Sequence, residues 1–265
     1  MDRIAKALEL ARKSQRPSGG RMLHLDAEKD ISYTYTRTVP VNANFLRKQR
    51  VIGGIQDKRI IDAYKLLRTR VLQRMQQNNW STLGVTSAGE HTGKTLTAVN
   101  LSISIAMKLN YTVLLVDADM RRPNVHNLFG FQPTLGLKDY LEADASIEEI
   151  LVHPSIDRLV ILPGRSVEHG SSELLASPRM VELVEELKSR YPSRLVVFDL
   201  PPVMVGDDVV AFAPNLDTAM LIVEDHKTQA DELARSIDLL EGLDLIGAVL
   251  NKSTEDSRQP YDYYY

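Results

Sequence analysis

From Thr82 onward the chain alternates short β-branched apolar runs with helix-length segments, and no other feature narrows its possible folds as much. The runs are Thr82–Thr86, Thr112–Val116, Leu159–Leu162, Leu195–Phe198, Ala219–Val223 and Ile246–Leu250. Between them, Lys94–Leu109 carries Leu96, Val99, Leu101, Ile103 and Ile105, and Pro178–Lys188 carries Met180, Leu183, Val184 and Leu187. Strands that are apolar almost throughout are buried on both faces, which a parallel sheet between two helical layers provides. The pattern therefore predicts an α/β fold with a mostly parallel sheet and helices on both sides.

Upstream, Ile60, Ile61, Tyr64, Leu67, Val71, Leu72 and Met75 recur at helical spacing, predicting a long amphipathic helix over Asp57–Met75, with Lys65, Arg68 and Arg70 mostly on other faces. Residues 1–15 read as a short amphipathic helix and Arg16-Pro17-Ser18-Gly19-Gly20 as a flexible break. From Arg21 to about Gly54 there is no sustained helical period, and Ile31–Thr36 with Val39-Pro40 reads as extended or loose. The expected organisation is a helix and flexible extension over 1–56, a main domain over 57–252 whose strand pattern begins near 80, and a mobile tail over 253–265.

Composition excludes several classes. Basic and acidic residues number 32 and 35, a net charge of -3, so no global field recruits nucleic acid or anionic lipid, and no nucleic-acid partner is expected. With no cysteine there are no disulfides, thiolate metal sites or cysteine nucleophiles. No apolar run approaches the roughly 20 residues that span a bilayer, and the first residues lack the apolar core of a signal peptide, so a cytoplasmic location is expected. The 10 tyrosines outnumber the 5 phenylalanines and the single tryptophan together; Tyr261, Tyr263, Tyr264 and Tyr265 fall in the last five positions.

The chemistry centres on Ala88-Gly89-Glu90-His91-Thr92-Gly93-Lys94-Thr95, a P-loop of the form [AG]-x-x-x-x-G-K-[ST] between a predicted strand and a predicted helix. Backbone N–H groups of such a loop cradle phosphates, Lys94 reaches the β- and γ-phosphates, and the Thr95 hydroxyl suits Mg²⁺. Gly89, Glu90, His91, Thr92, Gly93, Lys94 and Thr95, with Thr97 on the first helical turn, are the candidate nucleotide contacts, and ATP with Mg²⁺ is the expected cofactor pair. The fold expectation becomes a P-loop NTPase-like sheet. At the end of the second run, Asp117 and Asp119 leave a strand together; alternate residues of an extended chain point the same way, so the pair suits one magnesium ion or one nucleophile. At the end of the fourth run, Asp199-Leu200-Pro201-Pro202 places a third carboxylate as a Walker B segment does, positioned to hold a metal. His91 reads as a loop residue rather than a base. Arg121 and Arg122 suit phosphate, a partner or solvent equally, and Trp80 suits packing.

These residues together resemble the bacterial tyrosine autokinases of exopolysaccharide and capsule synthesis: the P-loop, the hydrophobic-Asp-x-Asp-x-Arg segment at Asp117–Arg121, Asp199-x-Pro-Pro, and the tyrosine-rich end. The resemblance covers about residues 57–265, and the first helix looks like that of members linked to polysaccharide export. It implies that Lys94 and Thr95 serve nucleotide and magnesium, that Thr95, Asp119 and Asp199 hold the metal, and that Asp117 accepts the tyrosine proton. It also implies that Tyr261, Tyr263, Tyr264 and Tyr265 are the phosphoacceptors. Asp208 falls where such proteins often carry Asp. The partners it implies are a membrane chain-length-determining co-polymerase as activator, a resetting tyrosine phosphatase, and further copies of the chain in a dephosphorylated homo-oligomer. The location it implies is the cytoplasmic side of the inner membrane, peripheral through the partner. In place of the family's Glu-x-x-Arg-x-x-Arg helix the chain has Asp62-x-x-Lys65-x-x-Arg68, and Glu90-His91-Thr92 replaces the common Gly-Glu-Gly.

Two other readings stand beside the autokinase. One is a partitioning-type ATPase, which typically brings an extra lysine near the start of the P-loop; residues 86–92 contain none. The other is a non-catalytic ATP-binding regulatory subunit of a membrane polysaccharide complex.

Overall fold

The computed structural model describes residues 36–189 and 194–253. The first helix, Tyr33 and Tyr35, most of the Ile31–Thr36 stretch, and the tail with Tyr261, Tyr263, Tyr264 and Tyr265 lie outside the described residues. The strands are β1 (Arg37–Thr38), β2 (Thr82–Ser87), β3 (Thr112–Asp117), β4 (Val152–His153), β5 (Leu159–Leu162), β6 (Arg194–Asp199), β7 (Thr218–Glu224) and β8 (Leu245–Asn251). All six predicted runs are strands. They form one sheet in the order β1-β4-β5-β3-β6-β2-β7-β8, in which every pairing is parallel except β4 with β5. The two-residue strands β1 and β4 have no sequence signal because two residues carry no period.

Alternation along each strand divides the interior into two cores. Val113 and Leu115 of β3 join Leu83 and Val85 of β2 and the helices Lys58–Asn78 and Lys94–Ala106 on one face. Leu114 and Val116 join Val196 and Phe198 of β6 and the helix Pro178–Ser189 on the other. A one-residue register slip would exchange the two sets, so burial on both faces locks the pairing.

The helix Lys58–Asn78 starts on the Asp57 carboxylate, which accepts the Arg59 N–H at 2.9 Å, and stops at Asn79 in the left-handed region with φ 57°. The helix Lys94–Ala106 is shorter than its apolar pattern, because Met107 and Leu109 are exposed where the chain turns back into β3. Residues 37–56, read from sequence as part of an extension, contribute Leu46, Val51 and Ile52 to the first core. There a short helix, Ala43–Lys48, is capped by the Asn42 side chain, which accepts from the Asn44 and Phe45 N–H groups. Six residues are too few for a helical period to show. Trp80 packs against the first core, as expected. Among the described residues no helix is long and apolar enough to cross a membrane.

The connections leaving β2 and β6, neighbours in the sheet, run in opposite directions, to β3 on one side and to β7 on the other. Such a reversal opens a crevice at the carboxyl ends of the strands, where ligands bind in sheets of this kind. At the opposite end, Asp217 closes the sheet. Its carboxylate accepts the Ser81 and Thr82 N–H groups at 2.7 and 2.9 Å and meets Lys188 at 3.2 Å, tying the start of β2 to the start of β7. Burial pushes this carboxyl up, but the two N–H donors and Lys188 outweigh it and hold it below the usual range. A depressed carboxyl stabilises the fold above its unfolded pKa and loses that contribution as pH falls through its folded pKa. Asp217→Ala should therefore cost about 2 kcal/mol at neutral pH. Urea unfolding at several pH values should show the gap from wild type closing under acid conditions below the ordinary aspartate range.

Candidate nucleotide-binding site

The loop Ala88–Gly93 links β2 to the helix Lys94–Ala106, so the helix begins directly on the loop and its first N–H groups have no partner within the helix. The turn requires unusual backbone at two positions: Gly93 has φ 92° and exposed His91 has φ 60°. Lys94 and Thr95 are the first helical residues and point into the sheet's carboxyl end. Lys94 Nζ lies 2.8 Å from Asp119 Oδ2, 3.5 Å from Asp199 Oδ1 and 3.3 Å from Thr95 Oγ1. The Thr95 hydroxyl donates to Asp199 Oδ2 at 2.7 Å. Four predicted residues thus converge from three elements.

Register explains the carboxylates. Asp117 and Asp199 are paired positions at the ends of β3 and β6, and both side chains are wholly buried. Burial pushes Asp117 well above the usual carboxyl range and the neighbouring Asp199 adds to it. Asp199 is raised by burial too, against the pull of Lys94 and the Thr95 hydrogen bond. Burial draws Lys94 down, but the Asp199 and Asp119 carboxylates outweigh it, leaving the ammonium harder to deprotonate than a free lysine.

Asp117 and Asp119 do not share one target, contrary to the alternation expected along an extended chain. The strand ends at Asp117, whose Oδ2 accepts the Asn124 and Val125 N–H groups, each at 2.9 Å, at the start of the helix Val125–Phe129. Asp119, beyond the strand, turns to Lys94 and also accepts the Arg122 N–H at 3.0 Å. Among the described residues, buried Asp117 Oδ1 has no hydrogen-bond partner.

Above this charge cluster lies a cavity of about 930 Å³, lined among others by Gly93, Lys94, Thr95, Asp119, Arg121 and Arg122. Glu90 and His91 line its rim, whereas Asp117 and Asp199 sit beneath the surface. Thr92 is buried with its hydroxyl unpartnered among the described residues, and Gly89 sits on the loop with open space where a Cβ would stand. Thr97 is buried and donates its hydroxyl to the Gly93 carbonyl at 2.9 Å, so it braces the loop.

The residues fit a magnesium nucleotide. Among the described residues no cluster of three or more His, Asp or Glu holds a cation unaided. Magnesium suits such a place, since it is commonly held by one or two carboxylates together with phosphate oxygens, and the Thr95 hydroxyl and Asp199 carboxylate supply hard oxygen donors. The buried Thr92 hydroxyl, without a partner among the described residues, and the cationic lining add donors for an anionic group.

Sequence reasoning left several neighbours unassigned. Arg122 pairs with Glu90 at 2.7 Å, bridging the P-loop to the Asp119 loop. Arg121 reaches buried Asp208 at 2.7 Å, and its guanidinium lies against Gly206, where a Cβ would come within 2.7 Å of it. A Cβ at Gly164 would meet the Asp117 carbonyl oxygen at 2.8 Å. Asn251 and Lys252 return from β8 to touch the P-loop itself. Asp208 and Arg121 carried a faint signal, since each stands where the resembled family often has that residue; the others are separated from their partners by too much chain for any motif to show them. Asp208→Ala should cost only about 1 to 2 kcal/mol, below the range for a fully buried pair, because Arg121 is 42% exposed and regains water. Thermal unfolding of Asp208→Ala beside Arg121→Ala and the double variant measures the coupling.

Comparison with known proteins places this geometry in a family. The chain is 28% identical over 222 residues to tyrosine-protein kinase YwqD of Bacillus subtilis (strain 168), covering 82% of this chain and 92% of that one. Over 205 residues it is 30% identical to the tyrosine-protein kinase etk of Escherichia coli (strain K12), covering 77% of this chain but only 28% of that longer protein. The solved kinase domain of Escherichia coli tyrosine kinase ETK superposes with a TM-score of 0.71 at 27% identity, over 87% of this chain and 94% of the domain. The septum site-determining protein MinD from Pyrococcus horikoshii OT3, solved with Mg-ADP, shares the fold at a TM-score of 0.55 and 22% identity, over 67% of this chain and 72% of MinD. The model of the CobQ/CobB/MinD/ParA nucleotide binding domain matches residues 83–264, and the chain belongs to that family.

Proposed function

We propose that the protein is an ATP-dependent tyrosine autokinase that phosphorylates Tyr261, Tyr263, Tyr264 and Tyr265 of its own tail and regulates polysaccharide polymerisation and export. The observation that carries the reading is the convergence of Lys94, Thr95, Asp119 and Asp199 at the cavity, on a chain that also carries a tyrosine cluster over 261–265. The relatives named as tyrosine-protein kinases support it.

In the transfer, the γ-phosphorus of ATP gains a bond to the tyrosine oxygen and loses its bond to the β-phosphate oxygen, and ADP leaves. The P-loop N–H groups and Lys94 hold the phosphates, the phosphate oxygens competing with Asp119 and Asp199 for the ammonium. Thr95, Asp119 and Asp199 would hold Mg²⁺, which offsets charge on the transferring group. A phenol with a pKa near 10 needs a proton acceptor. The resemblance gives that role to Asp117, whose Oδ1 has no hydrogen-bond partner among the described residues and is free to take the proton. From Lys252 to Tyr261 an extended chain reaches roughly 30 Å, enough to present the tail to a second copy. The partners that go with this reading are a membrane co-polymerase as activator, which would hold the protein at the inner membrane, and a phosphatase that resets the tail.

Incubation with γ-labelled ATP and Mg²⁺ tests it. Wild type should acquire label on tyrosine; Lys94→Ala, Asp117→Asn and a tail with all four tyrosines replaced by Phe should each lose at least about 100-fold of that label. Free phosphate without labelled protein would show an ATPase instead. Addition of the activator's cytoplasmic segment should raise labelling of wild type alone.

A further inference from the structure

The end of β8 grips the P-loop, and Lys252 itself lines the edge of the cavity. Asn251 Nδ2 donates to the Thr92 carbonyl at 2.7 Å, and Lys252 Nζ donates to the His91 carbonyl at 2.6 Å. These are consecutive carbonyls of the loop. Because a trans peptide points its C=O and the following N–H in opposite directions, fixing these two oxygens turns the Thr92 and Gly93 N–H groups away from β8. Among the described residues neither N–H donates to another group of the protein. The grip is itself braced: Glu224 meets Lys252 at 3.1 Å and Lys227 at 3.4 Å, and the Asp225 N–H donates to the Asn251 carbonyl at 2.9 Å. Two further details show the loop needs such support. His91, with a side chain, holds φ 60°, and the Asn251 amide lies so close over Gly93 that any Cβ there would collide with it. A non-glycine residue in the left-handed region persists only where its surroundings hold it there.

We infer that Asn251 and Lys252 are positioning residues that aim the P-loop N–H groups at the nucleotide phosphates, and that this grip links phosphate binding to the root of the tail. The inference rests on reading 88–95 as a nucleotide phosphate loop. It extends that reading because residues 251 and 252 directly precede the tyrosine-bearing segment 253–265. Phosphates that fix the N–H groups also fix the carbonyls on the other side of the same peptides, and so strengthen the hold on Lys252. By reciprocity, displacement of Lys252 weakens the phosphate site.

Titration calorimetry of the full chain with Mg-ADP, and separately with Mg-pyrophosphate, tests the first part. Asn251→Ala and Lys252→Ala should each weaken both ligands about tenfold, the factor of one net hydrogen bond, while Lys252→Arg, still a donor, stays within about threefold of wild type. Pyrophosphate has neither base nor sugar, so a loss confined to ADP would mean that β8 contacts the nucleoside and would overturn the inference. Unaltered binding of both ligands by the alanine variants would do the same. If wild type binds neither ligand, the nucleotide reading fails first. The second part needs no variant: saturating Mg-ADP should slow tryptic cleavage between Lys252 and Ser253 in wild type about tenfold, read by mass spectrometry of the released tail. A cleavage rate indifferent to ADP would refute the link.

Discussion

A single ammonium group makes the carboxyl end of this sheet tenable. Asp117, Asp119 and Asp199 are all buried within one small region, and carboxylates so placed repel one another and lack water. Lys94 stands among them, 2.8 Å from Asp119 and 3.5 Å from Asp199, and Thr95 adds a hydrogen bond to Asp199. Burial and mutual repulsion still leave Asp117 and Asp199 with raised proton affinity. An arrangement of this kind costs stability in the isolated fold, and such costs are typical of sites arranged for a ligand.

The sheet exists in the form needed to hold that cluster. Parallel pairing of β3 with β6 sets Asp117 opposite Asp199, and pairing of β6 with β2 brings the P-loop alongside. Two apolar cores, one per face, prevent the register from slipping. At the far end Asp217 fastens β2 to β7. The cavity end, by contrast, carries the Thr92 hydroxyl, without a partner among the described residues, the left-handed His91 and the buried carboxylates.

Much of this was legible beforehand. Lys94, Thr95, Asp119 and Asp199 were all singled out, because glycine spacing, strand-terminal carboxylates and hydrophobic periodicity are local signals. Alternation misled only where the strand stopped: Asp119 follows the end of β3, so its direction is no longer tied to that of Asp117. The short helix Ala43–Lys48 and the strands β1 and β4 escaped because their residues are too few to show a period. The Lys94–Leu109 pattern overran its helix because Met107 and Leu109 are apolar yet exposed, a mismatch that periodicity alone does not reveal.

What the sequence by itself determined is the type of each long element, the two-sided burial of the sheet, and the residues of the loop and strand ends, since each depends on neighbours within a few positions. Only the tertiary structure decided which of these side chains meet. Lys94 and Asp199 are separated by 105 positions, and Asn251 and Thr92 by 159. Contacts over such distances arise from strand order and register, which the packing of two whole cores selects and no local pattern encodes.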